Sequence, residues 1–153
     1  MIVPARLIEM AKRYEGFYPE PYICPGGYRT IGYGHVIRKD EEFKHPISEE
    51  QATQILIEDL KGAVAQALFL SPLLRYEPSD RLTAIADFIF NLGSGRYKAS
   101  TLRYYVNTKQ FQEAARQILR WVYAGGRPLL GLLRRRSEEA RLLLDPGGEE
   151  VGS

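Results

Sequence analysis

The sequence is poor in cysteine, with Cys24 as the only one among 153 residues. A single cysteine cannot form an intramolecular disulfide, so the fold does not depend on an oxidising compartment. A run of about 18 apolar residues, which would indicate a membrane-spanning helix, does not occur. The first residues also lack the basic-then-apolar order of a signal peptide, because Glu9 and Lys12 interrupt the apolar positions. We therefore expect no stable membrane insertion and residence in the cytoplasm.

Net charge is also small, at +2, but it is unevenly spread along the chain. Residues 96–141 contain eleven Lys or Arg and three Glu, which gives +8, whereas the remainder carries −6. Such asymmetry indicates a polyanionic partner for the C-terminal half. Nucleic acid and a bacterial cell wall both fit the charge, and solvated helix faces would explain it equally well.

One stretch, 15–35, concentrates side chains that can do chemistry. It holds an acid (Glu15), the lone thiol (Cys24), a hydroxyl (Thr30) and an imidazole (His35). Five glycines and three prolines punctuate the same stretch, which favours tight turns over a long helix. The residues after Cys24 predict a turn followed by a short strand, so the stretch is expected to form a small hairpin that aims these side chains.

The spacing of these residues resembles the catalytic motif of the phage-type lysozymes, glycoside hydrolase family 24. That family carries Glu, then Asp or Cys, then Thr at the intervals of Glu15, Cys24 and Thr30, followed by an Ile-Gly-x-Gly-His run that 31–35 supplies. Further landmarks resembling the family follow in order through the rest of the chain. They are Phe90-Asn91-Leu92-Gly93, Ser100-Thr101-Leu102, Arg120-Trp121-Val122 with Gly125-Gly126, and Gly131-Leu132 with Arg135-Arg136 and Glu139.

Helical periodicity predicts a mainly α-helical chain. Pro4 and Gly16 bound a first helix, which places Glu15 on its last turn. Ser48 and Gln51 form a capping box for a long helix that ends before Pro72. Four later helices are expected: one capped by Ser79 or Asp80, one from Ser100 or Thr101 through Val106, one from Phe111 to Val122, and one from Leu132 to Leu144.

The resemblance implies an α+β, mainly α, lysozyme-like fold. A small N-terminal lobe with a β-hairpin (about 1–47) and a helical C-terminal lobe (about 70–144) would be joined by a helix over about 48–69, with a cleft between the lobes. The polar, glycine-rich segment 145–153 is expected to be a disordered tail.

Hydrolysis of a glycosidic bond needs a proton donor and an activated water or nucleophile. Glu15 is the candidate general acid, and burial against apolar neighbours would raise its pKa for that task. Thr30 can orient a water but stays protonated. Cys24 can act with Thr30 as a thiolate that activates the water, can attack the sugar directly, or can be no more than a packed turn residue.

The remaining site residues follow from the resemblance. It implies a structural pair between His35 and Asp59, a supporting arginine at Arg135 (with Arg134 and Arg136 as neighbouring alternatives) and a cleft role for Asn91. Tyr22 is expected to contact substrate. No metal or cofactor is expected.

The leading function is an endolysin-type muramidase acting on the bacterial cell wall. It would cleave the β-1,4 bond between N-acetylmuramic acid and N-acetylglucosamine in peptidoglycan. A lytic transglycosylase and a non-catalytic wall-binding module are the alternatives, and a nucleic-acid binder rests only on the +8 half. The protein is expected to be a monomer without a nucleic-acid partner, and to need a separate membrane-permeabilising protein to reach the wall.

Overall fold

The structure, a computed structural model, describes residues 2–44 and 46–147. Within these two ranges the chain forms seven α-helices, one short 3₁₀ helix at Pro72–Tyr76 and five short strands. The helices are α1 (Ala5–Glu15), α2 (Glu49–Leu70), α3 (Ser79–Leu92), α4 (Ser94–Lys98), α5 (Thr101–Asn107), α6 (Phe111–Ile118) and α7 (Leu130–Leu144). The strands are β1 (Tyr18–Ile23), β2 (Arg29–Gly32), β3 (His35–Val36), β4 (Tyr123–Ala124) and β5 (Arg127–Pro128).

This architecture confirms the prediction of a mainly α-helical fold with a small antiparallel sheet. The described residues fall into two compact units whose boundary lies inside α2, between Gly62 and Ala63. Of the predicted disordered tail, residues 148–153 lie outside the described residues. No helix in the described ranges is both long enough and apolar enough to cross a bilayer.

The first unit is built from α1, the three-stranded sheet and the first half of α2. The strands are antiparallel in the order β1-β2-β3. A bulge interrupts the pairing of β1 with β2 between Tyr18 and Tyr22. Apolar side chains from both helices, from β2 and from the segment just before α2 form the core of this unit. They include Leu7, Met10, Ala11, Ile31, Ile47, Ala52, Leu56 and Leu60.

Local sequence explains where the helices of this unit begin and end. The chain leaves α1 at Gly16, whose φ of 74° is open to glycine at little cost, and the Gly16 N–H donates to the Lys12 carbonyl. The predicted capping box at the start of α2 is confirmed. The Ser48 N–H donates to Gln51 Oε1 at 2.8 Å, and the Gln51 N–H donates to Ser48 Oγ at 3.0 Å.

The second unit is helical. Helix α7 packs against α3 and α6, and α6 also packs against α5. The core of this unit is formed by apolar side chains of these helices together with Leu74. Among them are Ile85, Phe88, Tyr97, Leu102, Val106, Ile118, Leu142 and Leu143. The buried hydroxyl of Tyr97 pairs with Ser71 Oγ at 2.6 Å, which satisfies both polar groups within the core.

The prediction of a helix from Phe111 to Val122 is wrong at its C-terminal end. Helix α6 stops at Ile118, and β4 pairs with β5 beyond it. The reason lies in Gly125 and Gly126, which have φ values of 59° and 77° and form a two-residue hairpin turn. Two consecutive residues with positive φ are typical of the turn that best matches the twist of paired strands. The glycine pair therefore makes a hairpin rather than terminating a longer helix.

The predicted caps of the later helices have mixed outcomes. Ser100 caps α5, since its hydroxyl accepts a hydrogen bond from the Arg103 N–H at 3.1 Å. The expected cap of α3 by Ser79 or Asp80 is wrong, because Pro78 holds the N-cap position without a side-chain cap. Asp80 instead accepts a hydrogen bond from the Gly147 N–H at 2.6 Å.

Candidate active site

Three elements of the first unit position the chemistry-bearing residues. Glu15 is the last residue of α1, Cys24 directly follows β1, and Thr30 lies in β2. The Glu15 carboxyl group lies against the α-carbon of Gly34, in the turn between β2 and β3. The helix end and the sheet thus bring the candidate acid to the same sheet that carries the thiol and the hydroxyl.

Cys24 lies in the turn that connects β1 with β2. The Cys24 N–H donates to the Tyr28 carbonyl at 2.9 Å, and the Gly27 N–H donates to the Cys24 carbonyl at 2.8 Å. Gly27 has a φ of 88°, so the turn uses the conformational freedom of glycine at this position. The thiol is half-buried and is not part of a disulfide. These contacts hold the thiol on the turn while leaving it accessible.

Hydrogen-bond donors surround the Cys24 sulfur and lower the pKa of the thiol. The largest contribution comes from the Thr30 hydroxyl, followed by the backbone N–H of Tyr28, with smaller ones from the amides of Gly26 and Gly27. Donors aimed at a sulfur stabilise its anion, because the thiolate accepts hydrogen bonds more strongly than the thiol. The turn therefore lowers the pKa of Cys24 overall, against a smaller opposing effect of burial.

Thr30 is 2% exposed and occupies the centre of the sheet, paired with Tyr22 on one side and Val36 on the other. Its hydroxyl donates to the Tyr28 carbonyl at 2.9 Å and is also within hydrogen-bonding reach of Cys24. A hydroxyl carries one proton, so these two acceptors compete for it. A charged thiolate is the stronger acceptor, and the Thr30 hydroxyl can turn toward Cys24 when the thiol ionises.

Tyr22 lies in β1, two residues before the thiol. Burial raises the pKa of Tyr22, and the charges of Tyr18, Glu15 and Cys24 raise it further. The charges of both Glu15 and Cys24 therefore act on the Tyr22 hydroxyl. The Tyr18 ring lies 4.3 Å from the Tyr22 ring, centroid to centroid, and Tyr18 is 45% exposed. The two rings are tilted by 31° against each other and present a partly polar aromatic surface on β1.

His35 lies between two carboxylates. Its Nδ1 is 2.7 Å from Asp59 Oδ2, and its Nε2 is 2.9 Å from Glu41 Oε1. The Asp59 hydrogen bond is the largest influence and raises the pKa of His35, and the Glu41 contact adds to this against an opposing effect of burial. Burial acts to raise the pKa of Glu41, but the Arg38 N–H and His35 outweigh it and hold that pKa below its usual range. The structure thus brings together the two residues of the pair implied by the resemblance, and adds Glu41.

A second polar network connects α1 to the start of α2. Three donors converge on Glu49 Oε1: Lys12 Nζ at 3.0 Å, the Tyr33 hydroxyl at 2.9 Å and the Thr53 hydroxyl at 2.9 Å. Lys12, then Tyr33 and Thr53, lower the pKa of Glu49 to about 2. No sequence signal beyond helix spacing could have revealed this network, because its members are far apart in the chain.

The predicted residues Asn91 and Arg135 lie in the second unit. Arg135 is 3% exposed and binds Asp87 through two bonds of 2.8 Å, from Nε to Oδ2 and from Nη2 to Oδ1. The Asn91 side-chain oxygen is buried and accepts no hydrogen bond from the described residues. Asp87 was missed by sequence reasoning, which treated α3 as an apolar stripe.

The three neighbouring arginines of α7 differ in burial. Arg136 is fully buried and donates to Glu139 Oε2 at 2.8 Å, whereas Arg134 is exposed. Burial raises the pKa of Glu139 well above its usual range, and the adjacent Asp87 raises it further. Burial also acts to raise the pKa of Asp87, but the charge of Arg135 and a hydrogen bond from Glu139 lower it. The pKa values of the two neighbouring carboxyl groups therefore shift in opposite directions, upward for Glu139 and downward for Asp87.

Sequence comparison decides the family. The family model described as phage lysozyme matches residues 12–139. The chain belongs to the phage lysozyme family. The predicted family is thereby confirmed, and the family's named relatives support the predicted class of glycoside hydrolase.

Among curated relatives of this family, the endolysin of Bacillus phage B103 is 35% identical over 147 residues, which cover 94% of this chain. The chain spans only 54% of the length of that relative. The endolysin of Salmonella phage P22 is 33% identical over 147 residues, which cover 94% of this chain and 99% of the relative.

Solved structures show the same fold. The endolysin from Escherichia coli O157:H7 phage FAHEc1 has a TM-score of 0.81 at 25% identity, with 98% of each chain covered. A mutant of P22 lysozyme has a TM-score of 0.77 at 32% identity, with 95% of this chain and 99% of that chain covered. The lysozyme-like fold predicted from the sequence is therefore confirmed.

Proposed function

We propose that the protein is an endolysin-type muramidase. It hydrolyses the β-1,4 bond between N-acetylmuramic acid and N-acetylglucosamine in peptidoglycan and thereby lyses the bacterial cell wall. The observation that supports the proposal is the position of the Glu15 carboxyl group at the end of α1, against Gly34 of the sheet that also carries Thr30, with Cys24 in the turn between β1 and β2. Glycosidic bond cleavage requires an acid and a group that activates water or attacks the sugar, and in this proposal Glu15 and Cys24 supply them.

Glu15 is the general acid in this proposal. It donates its proton to the bridging oxygen as the bond to the anomeric carbon breaks. Glu15→Gln keeps the size of the side chain and removes the transferable proton, so we expect kcat to fall by about 10²–10⁴-fold. Reducing-end release from purified peptidoglycan measures this. A folded Gln variant with near-native rates would remove Glu15 from the role.

Cys24 and Thr30 activate the water. The thiolate takes one proton from a water held by the Thr30 hydroxyl, and the water oxygen bonds to the anomeric carbon from the face opposite the leaving group. The step leaves Cys24 as a thiol and Glu15 as a carboxylate, and exchange of one proton between solvent and each group restores both. The product has the inverted, α configuration. Thr30 supports this role because it is fixed in the sheet beside Cys24.

Direct attack by the Cys24 sulfur is the competing route. It would form a covalent thioglycosyl enzyme and release a product with retained β configuration. NMR of the fresh product distinguishes the two anomers, and mass spectrometry of the Cys24 peptide detects an adduct. A β product or an adduct would overturn water activation. Full activity after complete alkylation of Cys24 would overturn both routes.

Product masses test the reaction class. Hydrolysis yields reducing ends with the mass of added water, whereas a lytic transglycosylase yields anhydro-muramyl products without it. The donors around Cys24 favour hydrolysis, because a transglycosylase needs one acid and no group that activates water. Sedimentation with cell walls and no release of fragments would indicate a wall-binding module instead.

The remaining predicted residues take supporting roles in this proposal. Tyr22 contacts the sugar beside Glu15, and Asn91 and Arg135 keep the supporting roles that the resemblance implies. His35 and Asp59 form a structural pair. The protein acts as a monomer on the wall, resides in the cytoplasm until release, and reaches the wall after a separate protein has permeabilised the membrane.

A further inference from the structure

The turn between β2 and β3 contains a glycine, Gly34, that lies in close contact with the Glu15 side chain. Ile31 and His35 are paired across this turn, and Gly32, Tyr33 and Gly34 connect them. Gly34 has a φ of 76°, in the left-handed region that L side chains rarely adopt. That conformation alone would explain a glycine here, but it does not explain why Gly34 lies so close to Glu15.

A side chain at Gly34 would collide with the candidate acid. A β-carbon built on Gly34 would lie 3.0 Å from Glu15 Cδ, 3.0 Å from Oε2 and 3.2 Å from Cγ. All three distances are below ordinary van der Waals contact, and they involve three consecutive positions along the Glu15 side chain. Relief therefore requires the end of the Glu15 side chain, including its carboxyl group, to shift by a few tenths of an ångström.

The surrounding structure holds Gly34 in place. On its C-terminal side, His35 is 6% exposed and bound by both Asp59 and Glu41. On its N-terminal side, Tyr33 is 8% exposed and its hydroxyl donates to Glu49. With both neighbours anchored, the turn offers little room to retreat, and an added methyl group would displace Glu15 instead.

We propose that Gly34 is a positioning residue for the proposed general acid, because its bare α-carbon forms the floor on which the Glu15 carboxyl group rests. This inference rests on the proposed function of Glu15. Misplacement of a catalytic group by about 1 Å can cost about 10²-fold in rate. Gly34→Ala is therefore expected to lower kcat by about 10–100-fold with little change in KM.

The matched control is Gly93→Ala. Gly93 also has a positive φ, of 96°, but a β-carbon there would meet nothing within 4 Å. Both substitutions impose left-handed strain on alanine, and only Gly34→Ala pushes on the acid. We expect Gly93→Ala to keep kcat within about three-fold of the parent. Equal kcat for the two alanine variants would overturn the inference.

A double-mutant cycle shows whether Gly34 acts through Glu15. If it does, Gly34→Ala causes no further loss of kcat in the Glu15→Gln background. The same fold-loss in both backgrounds would overturn the inference while leaving Glu15 as the acid. Near-native activity of Glu15→Gln alone would instead overturn the proposed function, and the positioning role with it.

Stability measurements keep the inference testable if Gly34→Ala folds poorly. Glu15→Ala removes the three atoms that the new methyl group would meet. The thermal unfolding midpoint should therefore fall less on Gly34→Ala in the Glu15→Ala background than in the parent. An equal fall in both backgrounds would mean that the Glu15 contact is absent.

Discussion

In the proposed mechanism, Cys24 determines how the rate depends on pH. An ordinary thiol titrates near pKa ~8.5 and an aspartate near ~3.9, so a thiol at this position costs activity below neutral pH. The Thr30 hydroxyl and the Tyr28 N–H reduce this cost by lowering the pKa of Cys24. Because the thiolate is the active form in this proposal, we expect kcat/KM to rise as pH increases through that lowered pKa.

Replacement of Cys24 tests this dependence. Cys24→Asp is expected to extend activity toward acid by about two pH units or more, since the carboxylate stays ionised there. Cys24→Ser is the matched control, because its hydroxyl is similar in size but stays protonated, and it should lose activity at every pH. The measurement is reducing-end release from peptidoglycan between about pH 4 and pH 9, a range that spans both ordinary pKa values. Identical profiles for the parent and Cys24→Asp would contradict the thiolate role.

At the residue scale, the sequence predicts those site residues that belong to a local motif. The spacing of Glu15, Cys24 and Thr30 is written in one short stretch, and the structure places all three in one unit. Glu41 and Asp87 were not predicted, because their partners are set by tertiary packing. Glu41 lies on a loop whose path no periodicity specifies, and Asp87 lies on a helix whose neighbours predicted only an apolar face.

At the scale of elements, His35 connects β3 to α2 and to the loop after β3. The raised pKa of His35 means that its contribution to stability is full below the unfolded value of about 6.5 and is lost as pH rises through the folded value. The lowered pKa of Glu41 gives the opposite limb, present above its unfolded value of about 4.3 and lost as pH falls through the folded value. Their interaction should therefore be strongest between about pH 4.5 and 6.5.

A double-mutant cycle with His35→Asn and Glu41→Gln checks this window. We expect a coupling of about 0.5–3 kcal/mol near pH 5.5, within the range usual for contacting residues, and a smaller one near pH 9. Glu42→Gln is the control, since this neighbouring carboxylate is more exposed than Glu41 and has no hydrogen bond to His35. The readout is the free energy of unfolding from denaturant titration. A coupling that does not change with pH would rule out the charged imidazole.

Helices α3 and α7 are joined by a buried ionic cluster. Asp87 is 0% exposed and Arg135 is 3% exposed, and two hydrogen bonds join the guanidinium to the carboxylate. Removing one partner of a buried pair typically costs about 3–5 kcal/mol, because the other charge is left buried. We expect Asp87→Asn to lower the free energy of unfolding by that amount.

The control for Asp87 is an exposed pair in the same unit. Glu113 and Arg116 form an ion pair on α6 with side chains 39% and 70% exposed. Exposed pairs contribute little, so Glu113→Gln should cost under about 0.5 kcal/mol. Equal losses for Asp87→Asn and Glu113→Gln in chemical denaturation would show that the buried pair is not structurally important.

Secondary structure was predictable where the signals are local. Pro4 and Gly16 bound α1, and the Ser48 and Gln51 capping box starts α2. The error at Val122 arose because Gly125-Gly126 ends a helix and turns a hairpin equally well. Only the pairing of β4 with β5 distinguishes a hairpin turn from a helix end. This pairing cannot be predicted from the helical periodicity of α6.

At the scale of the whole molecule, the burial of individual arginines shows which residues of the positively charged half are exposed. Residues 114–137 contain six arginines and no Asp or Glu. Arg135 and Arg136 are buried, so the exposed positive charge of this segment comes from the other arginines. They are Arg116, Arg120, Arg127 and Arg134. This segment is the part of the chain best suited to contact an anionic wall polymer.

Attraction between exposed charges weakens with salt, because the screening length falls from about 10 Å at 0.1 M to about 3 Å at 1 M. We therefore expect co-sedimentation with cell walls to decrease over this range. The double variant Arg120→Gln/Arg127→Gln should bind more weakly at low salt and depend less on salt. Lys39→Gln/Lys44→Gln removes the same net charge from the first unit and should leave binding close to that of the parent. If both double variants lose binding equally, net charge alone explains the attraction, and the arginine segment has no particular role.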